Sequence, residues 1–172
     1  TFHSLAWRLL EAHGHTALGW AEPPALLTGP EQVALVHELL ASEDPSRWPL
    51  PFRKFLHTLG FAKEVTDFLL RCQEQLVDSE KLVTFDRADW RGLPDFLDRY
   101  QLVLGVRRRI DYGTLIARAV RVLGHPQVSE AVGRQYRYLL ADEYQDTTAA
   151  QVRLLQRLSL RHRNLTVAAD PY

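Results

Sequence analysis

Residues 138–146 read Tyr-Leu-Leu-Ala-Asp-Glu-Tyr-Gln-Asp. An apolar run, Tyr138 to Ala141, ends on two adjacent carboxylates, Asp142 and Glu143, with Gln145 and Asp146 directly behind them. A buried β-strand with this ending carries its acids to the carboxyl tip of a sheet, where α/β folds bind their ligands. One carboxylate there can hold Mg²⁺ through its water shell. The next can aim and deprotonate a water that attacks a phosphoryl group. That reaction needs both, because a cation must offset phosphate charge and a base must direct the nucleophile. Two adjacent acids alone also describe a strand tip with a solvated polar turn, so the reading depends on what surrounds them.

The elements around the acids fit that task. Thr148-Ala149-Ala150-Gln151 is a capping box, and Val152, Leu155 and Leu158 continue from it at helical spacing. Leu165 to Ala169 is a second apolar strand, ending at Asp170. Strand, acidic turn, helix and strand predict a βαβ unit with a parallel pair, its acids on one edge.

Upstream, the chain reads as helices. Ser4 to about His13 is one, with Gly14 as its stop. Leu18 to Leu27 is a connector in which Pro23-Pro24 forbids helix. Thr28 and Glu31 form a capping box for a helix carrying Val33, Val36, Leu39 and Leu40. Phe52 to about Val77 is helix-compatible, with Gly60 as an interruption, and Asp86 to Tyr100 is another helical stretch interrupted at Leu93-Pro94. A helix from about Ile110 to Leu123 stops at Gly124-His125-Pro126, and Val128 to Tyr136 is a further one. Trp20, Trp48 and Trp90 are read as packing residues, and His57, His125 and His162 as surface or capping residues.

Composition narrows the classes. The 172 residues are 46% hydrophobic with a formal net charge of zero, so a real core is possible and global charge points to no partner. Local charge is uneven. Seven arginines between Gln101 and Arg137 face only Asp111 and Glu130, whereas Glu74 to Asp98 holds seven acids against three bases. Cys72 is the lone cysteine, which excludes an internal disulfide and fits a reducing, cytoplasmic location. No apolar run reaches membrane-spanning length, and no histidine pairs with a cysteine at zinc spacing. With no methionine, even at position 1, the sequence is expected to be an internal piece of a longer protein.

Asp-Glu-Tyr-Gln-Asp-Thr (142–147), then Gln151, Leu154-Leu155 and Asn164 to Asp170, resembles motifs II and III of the UvrD/Rep/PcrA family of superfamily 1 DNA helicases. Thr1 to Leu10 resembles motif Ib of the same family, although a Thr1 or Ser4 helix cap with Phe2 in the core explains those residues as well. Ile110 to Ile116 resembles the family's Asp-Phe-Asp-Asp-Leu segment, but Gly113 and Thr114 replace its second pair of acids. The match is specific over 1–10 and 110–172 and weak between them. The resemblance implies an α/β fold, mostly α by content: part of a RecA-like P-loop NTPase subdomain (1A; residues 1–18 and 110–172), interrupted by an all-helical insertion (1B; 19–109).

By the same resemblance, the activity is ATP-driven 3′ to 5′ translocation on single-stranded DNA, in repair or recombination. Asp142 would hold Mg²⁺ through water, Glu143 would be the general base, and Gln145 would sense the γ-phosphate. Asp146 would tie the loop together, and Asp170 would open motif III at the nucleotide site. Thr1, Phe2 and His3 would meet the DNA, the threonine at phosphate and the ring side chains by stacking on a base. Motif III departs from the usual form: Ala169 stands where glycine is common, and Pro171-Tyr172 replaces residues that are often polar. The expected partners are single-stranded DNA, a single-strand/duplex junction and the remaining helicase subdomains of the same chain, with no membrane. No Gly-x-x-x-x-Gly-Lys-Ser/Thr phosphate loop occurs in the sequence, so residues 1–172 alone are expected not to hydrolyse ATP. A helicase–nuclease motor of RecB or AdnAB type, or a non-catalytic binding module derived from the motor, is the alternative.

Overall fold

The computed structural model describes residues 1–170. The fold is α/β and mostly helical, with two small parallel sheets. It divides into two compact units: Thr1–Pro23 with the chain from Gly113 onward, and Pro24–Tyr112.

The first unit opens with α1 (Phe2–Leu18) and contains α6 (Tyr112–Val122), α7 (Pro126–Gln135), β3 (Leu139–Ala141), α8 (Ala149–Ser159) and β4 (Leu165–Val167). Thr1 caps α1, its hydroxyl oxygen accepting the Ser4 N–H at 3.2 Å. Gly14 does not stop this helix. It is buried in the helix interior, where an added Cβ would lie 2.6 Å from the Trp20 ring, and Gly19 at φ +68° makes the stop instead. The missing side chain at Gly14 therefore serves the approach of Trp20 rather than a backbone turn. Gly124 and Pro126 do separate α6 from α7, with Pro126 in the first turn of α7, where its missing N–H costs nothing.

β3 and β4 run parallel, pairing Leu139 with Leu165, Leu140 with Thr166 and Ala141 with Val167, and α8 connects them. This is the expected βαβ unit. Its first strand, however, is not the buried one that the apolar run predicted. Leu140 is 84% exposed and Tyr138 79%, and only Ala141 of the strand is buried. Among the described residues the sheet has two strands.

The second unit contains β1 (Ala25–Leu26), α2 (Gly29–Ala41), α3 (Leu59–Glu74), α4 (Ser79–Thr84), α5 (Leu93–Val106) and β2 (Arg109–Ile110). The Thr28–Glu31 capping box is present, with the Thr28 N–H donating to the Glu31 carboxylate at 2.8 Å. β1, inside the stretch read as a connector, pairs in parallel with β2, which takes up Ile110, the expected start of the next helix. The helical stretch from Phe52 breaks at Thr58, which caps α3, so Gly60 lies in a first turn and interrupts nothing. Likewise Pro94 starts α5 rather than interrupting it.

α2 packs on α3 and α4 on α5 around a core that includes Val36, Leu40, Trp48, Leu56, Leu69, Phe96 and Leu97. Inside this unit sits a buried acid. Asp111 is 0% exposed, and its carboxylate accepts from the Tyr100 hydroxyl at 2.6 Å and the Gln73 amide at 3.1 Å. Burial pushes the Tyr100 hydroxyl pKa up, and the neighbouring Asp111 charge pushes it further, so this proton stays on the tyrosine as a permanent donor.

Candidate functional site

The acidic turn lies at the carboxyl end of β3. Strand pairing continues past the strands themselves: the Ala168 N–H donates to Ala141 O at 2.8 Å and the Tyr144 N–H to Ala168 O at 3.0 Å. Between these bonds the chain turns sharply. The Asp142 carboxylate accepts the N–H of Glu143 at 3.0 Å, and Glu143 adopts a left-handed conformation at φ +52°, ψ +43°. Such a backbone costs a non-glycine residue roughly 1–2 kcal/mol. Leu76, Asp86, Arg108 and Arg163 share this region, so the conformation by itself marks no site. A 3₁₀ turn over Tyr144–Asp146 follows, and Thr147 closes it. Thr148 and Gln151 then form the expected capping box that launches α8.

Gln145 occupies the centre of the arrangement. Its amide nitrogen donates to the Glu143 carboxylate at 2.6 Å, and its amide oxygen accepts the backbone N–H of Asp170 at 3.2 Å. One side chain thus joins the acid at the tip of β3 to the loop beyond β4. Asp170 takes part through its backbone. Asp142, Glu143 and Asp146 are exposed, and Gln145 is half-buried.

A cleft of about 750 Å³ in this unit is lined by Thr1, Phe2 and His3 on one side and by Ala141, Asp142, Glu143 and Asp146 on the other. The N-terminal residues singled out from sequence and the acidic turn therefore border one hollow. The Thr1 hydroxyl is engaged in capping α1 and contacts the Ser4 hydroxyl at 2.9 Å, while Phe2 and His3 are half-buried. Gln145 and Asp170 are absent from this lining and connect to it through Glu143. Arg8, Tyr136 and Tyr138 also line the cleft and were not singled out from sequence. Arg8 follows Thr1 by two helical turns, which was the one available signal. Pro171 and Tyr172, the last residues compared with motif III, lie outside the described residues.

The donor set is made of hard oxygens. No group of three or more histidine, cysteine or acidic side chains converges among the described residues. The carboxylates of Asp142 and Glu143 are the kind of donor that Mg²⁺ uses one or two at a time, with water and phosphate oxygens as its other ligands. No helix of the described residues is long and apolar enough to cross a membrane.

The chain is 26% identical to the ATP-dependent DNA helicase PcrA of Bacillus subtilis (strain 168) over 172 residues, covering 99% of this chain and 22% of that protein. It is 24% identical to the protein of the same name from Staphylococcus aureus (strain NCTC 8325 / PS 47) over 173 residues, again 99% of this chain and 22% of the relative. A 75-residue stretch, 43% of this chain and 10% of the relative, is 37% identical to the ATP-dependent DNA helicase UvrD1 of Mycobacterium tuberculosis (strain ATCC 25618 / H37Rv). The chain thus spans 22% of the length of the PcrA proteins it matches. The model of the UvrD/REP helicase N-terminal domain matches all of residues 1–172, and the chain belongs to that family.

Proposed function

We propose that this chain works as part of an ATP-dependent DNA helicase, in which hydrolysis of ATP drives 3′ to 5′ movement on single-stranded DNA during repair or recombination. Residues 1–18 and 110–172 are then parts of a RecA-like subdomain, and 19–109 its helical insertion. Asp142 would hold Mg²⁺ through water, and the ion would supply charge neutralisation on the phosphates. Glu143 orients the attacking water and takes its proton. Gln145 positions Glu143 and passes its state to the loop at Asp170. Thr1, Phe2 and His3 meet the DNA strand, and the remaining subdomains of the longer protein complete the nucleotide site. Residues 1–172 alone do not turn over ATP, because the sequence holds no phosphate loop.

The observation that carries this reading is the double hydrogen bond of Gln145 to Glu143 and to the Asp170 N–H. A solvated acidic turn has no use for a side chain that ties its acid to the neighbouring strand's loop. A motor does, because the hydrolytic base must respond to what happens elsewhere.

The test is ATP hydrolysis by the parent protein carrying this chain, with and without single-stranded DNA, in wild type and Glu143→Gln. Loss of a general base costs about 10²- to 10⁴-fold in turnover, so DNA-stimulated hydrolysis falls by at least about a hundredfold while DNA binding is retained. Unchanged turnover in the variant would mean that the acidic turn is not the hydrolytic site. DNA binding without turnover in the wild type would make the chain a binding module.

A further inference from the structure

The unit Pro24–Tyr112 contains a second hollow, of about 290 Å³, that the acidic turn does not use. Its walls are aromatic. Trp48, only 1% exposed, is the core residue behind the hollow, held edge-on to Phe61 at 5.8 Å between ring centres. Phe61 stacks on Phe52 at 5.6 Å. Phe68 meets Trp90 edge-on at 5.2 Å, and Phe61, Phe68 and Trp90 all remain half-buried along the opening. The Trp48 ring is fixed from behind. Its indole N–H donates to Glu43 at 3.3 Å, and Gly92, at φ +92°, has no Cβ where one would lie 3.3 Å from the ring. Electron-rich ring faces fixed around a small hollow attract cations.

Carboxylates supply the complementary charge. Glu64 and Asp89 line the hollow, and both are exposed. Glu64 lies on α3 one turn from Phe61 and one turn from Phe68, so a single helix stripe presents ring, acid and ring. It makes no ion pair or hydrogen bond to another side chain among the described residues. Asp89 shows the chemistry this rim accepts. Arg87 donates to both of its oxygens, at 3.1 and 2.8 Å, and the same guanidinium stands over the Trp90 ring at 4.9 Å. The protein's own arginine has taken the outer carboxylate and the outer ring face. Glu64, beside Phe61 and Phe68 on α3, is a second carboxylate next to aromatic rings.

We propose that this hollow receives an arginine side chain from a basic segment of a partner protein, the guanidinium against the half-buried Phe61, Phe68 and Trp90 rings and paired with Glu64. The volume is close to the roughly 300 Å³ floor of small-ligand pockets, which suits one long side chain rather than a nucleotide. Charge points the same way. The charged residues among its lining, Glu64 and Asp89, are both acids, which favours a basic occupant over a phosphate. Phe85, exposed and edge-on to Trp90 at 5.7 Å, extends the apolar rim against which flanking residues of that segment pack. This site is independent of the proposed ATP chemistry, which uses none of these residues.

The experiment is fluorescence anisotropy with the intact chain and a fluorescein-labelled nonapeptide that carries one arginine between apolar residues. Controls are the same peptide with glutamate in its place and a labelled single-stranded oligonucleotide. The arginine peptide binds, and the glutamate peptide does not. Glu64→Gln, an exposed change that leaves the core intact, weakens binding about tenfold, as expected for removal of one charge-assisted contact at a partly solvated site. Phe68→Leu weakens it further, and circular dichroism of each variant matches wild type. Three results would overturn the proposal: no binding at millimolar peptide, equal binding of the glutamate peptide, or indifference to Glu64→Gln. An oligonucleotide that displaces the peptide and binds more tightly to Glu64→Gln would equally overturn it, by making the hollow a nucleic-acid contact.

Discussion

Replacing Gln145 tests the arrangement at the acidic turn most directly. In Gln145→Ala two bonds vanish together. The 2.6 Å donation to the Glu143 carboxylate is a hydrogen bond to a charged group, a class that contributes about 1.5–3 kcal/mol. Glu143 is exposed, so the lower end applies. The 3.2 Å bond from the Asp170 N–H joins neutral groups and contributes about 0.5 kcal/mol at that length. The combined effect is about 2 kcal/mol, or about thirtyfold in rate where both bonds hold the base in its working position. On the proposed function, the assay is DNA-stimulated ATP hydrolysis by the parent protein, with oligonucleotide affinity measured separately in the absence of nucleotide. Stimulated kcat falls about thirtyfold, and the affinity changes by less than about threefold. Gln145→Glu sharpens the test, because its oxygen still accepts from Asp170 but brings a second carboxylate to where the amide met Glu143. Its turnover falls at least as far. If Gln145→Ala keeps stimulated turnover within about threefold of wild type and is correctly folded, the bridge has no role in positioning the base.

Three further outcomes follow from the packing. Tyr100→Phe strips one donor from the fully buried Asp111 carboxylate and lowers stability by about 2 kcal/mol, read as a reduced urea midpoint; a change below about 0.5 kcal/mol would mean that the carboxylate does not depend on this hydroxyl. Gly14→Ala destabilises by about 1 kcal/mol, although alanine is the better helix former. Displacing the Trp20 ring from a Cβ 2.6 Å away costs more than the helix gains, and a stabilised variant would refute that packing. Burial pushes the Cys72 thiol up to about 11 from its ordinary value near 9. The unfolded thiol therefore releases its proton first as pH rises. This group's contribution to stability is complete below about pH 9 and is lost between about pH 9 and 11. In the native chain at pH 8 Cys72 does not react with an aromatic disulfide reagent, and it reacts fully in urea.

The features legible in the sequence were those written in local chemistry. The capping boxes at Thr28–Glu31 and Thr148–Gln151 stand where a hydroxyl and a carboxyl or amide three residues apart placed them. The parallel pairing of Leu139–Ala141 with Leu165–Val167 followed from two apolar runs joined by a capped helix. What escaped depended on partners distant in sequence. β1 and β2 are two residues each, too short for any alternation to register, and they exist because their backbones meet. Gly14 resembles a helix stop until Trp20 is seen beside it. Hydropathy marked Leu140 as apolar but held no information on whether anything covers it. At the site, residue types were legible and roles less so. Asp170 stood out for its carboxylate, yet its N–H is the group that engages Gln145.

The conformation of Glu143 was the least accessible feature, and it explains the most. Without the left-handed turn at Glu143, the chain leaving β3 would continue straight. The Tyr144 N–H would not return to Ala168 O, and the Gln145 side chain would not lie between Glu143 and the Asp170 N–H. The turn is disfavoured by roughly 1–2 kcal/mol for any residue with a Cβ, and glycine would relieve it entirely. An acid stands there nonetheless. The Asp142 carboxylate offsets part of the cost by accepting the Glu143 N–H, and the Gln145 amide holds the other end of the residue. Leu76, Asp86, Arg108 and Arg163 adopt the same backbone region, so the conformation alone does not set Glu143 apart; the two bonds that hold it do. A strained turn that keeps a carboxylate, pinned from both its backbone and its side chain, is the expected result where that carboxylate must be presented at one fixed position.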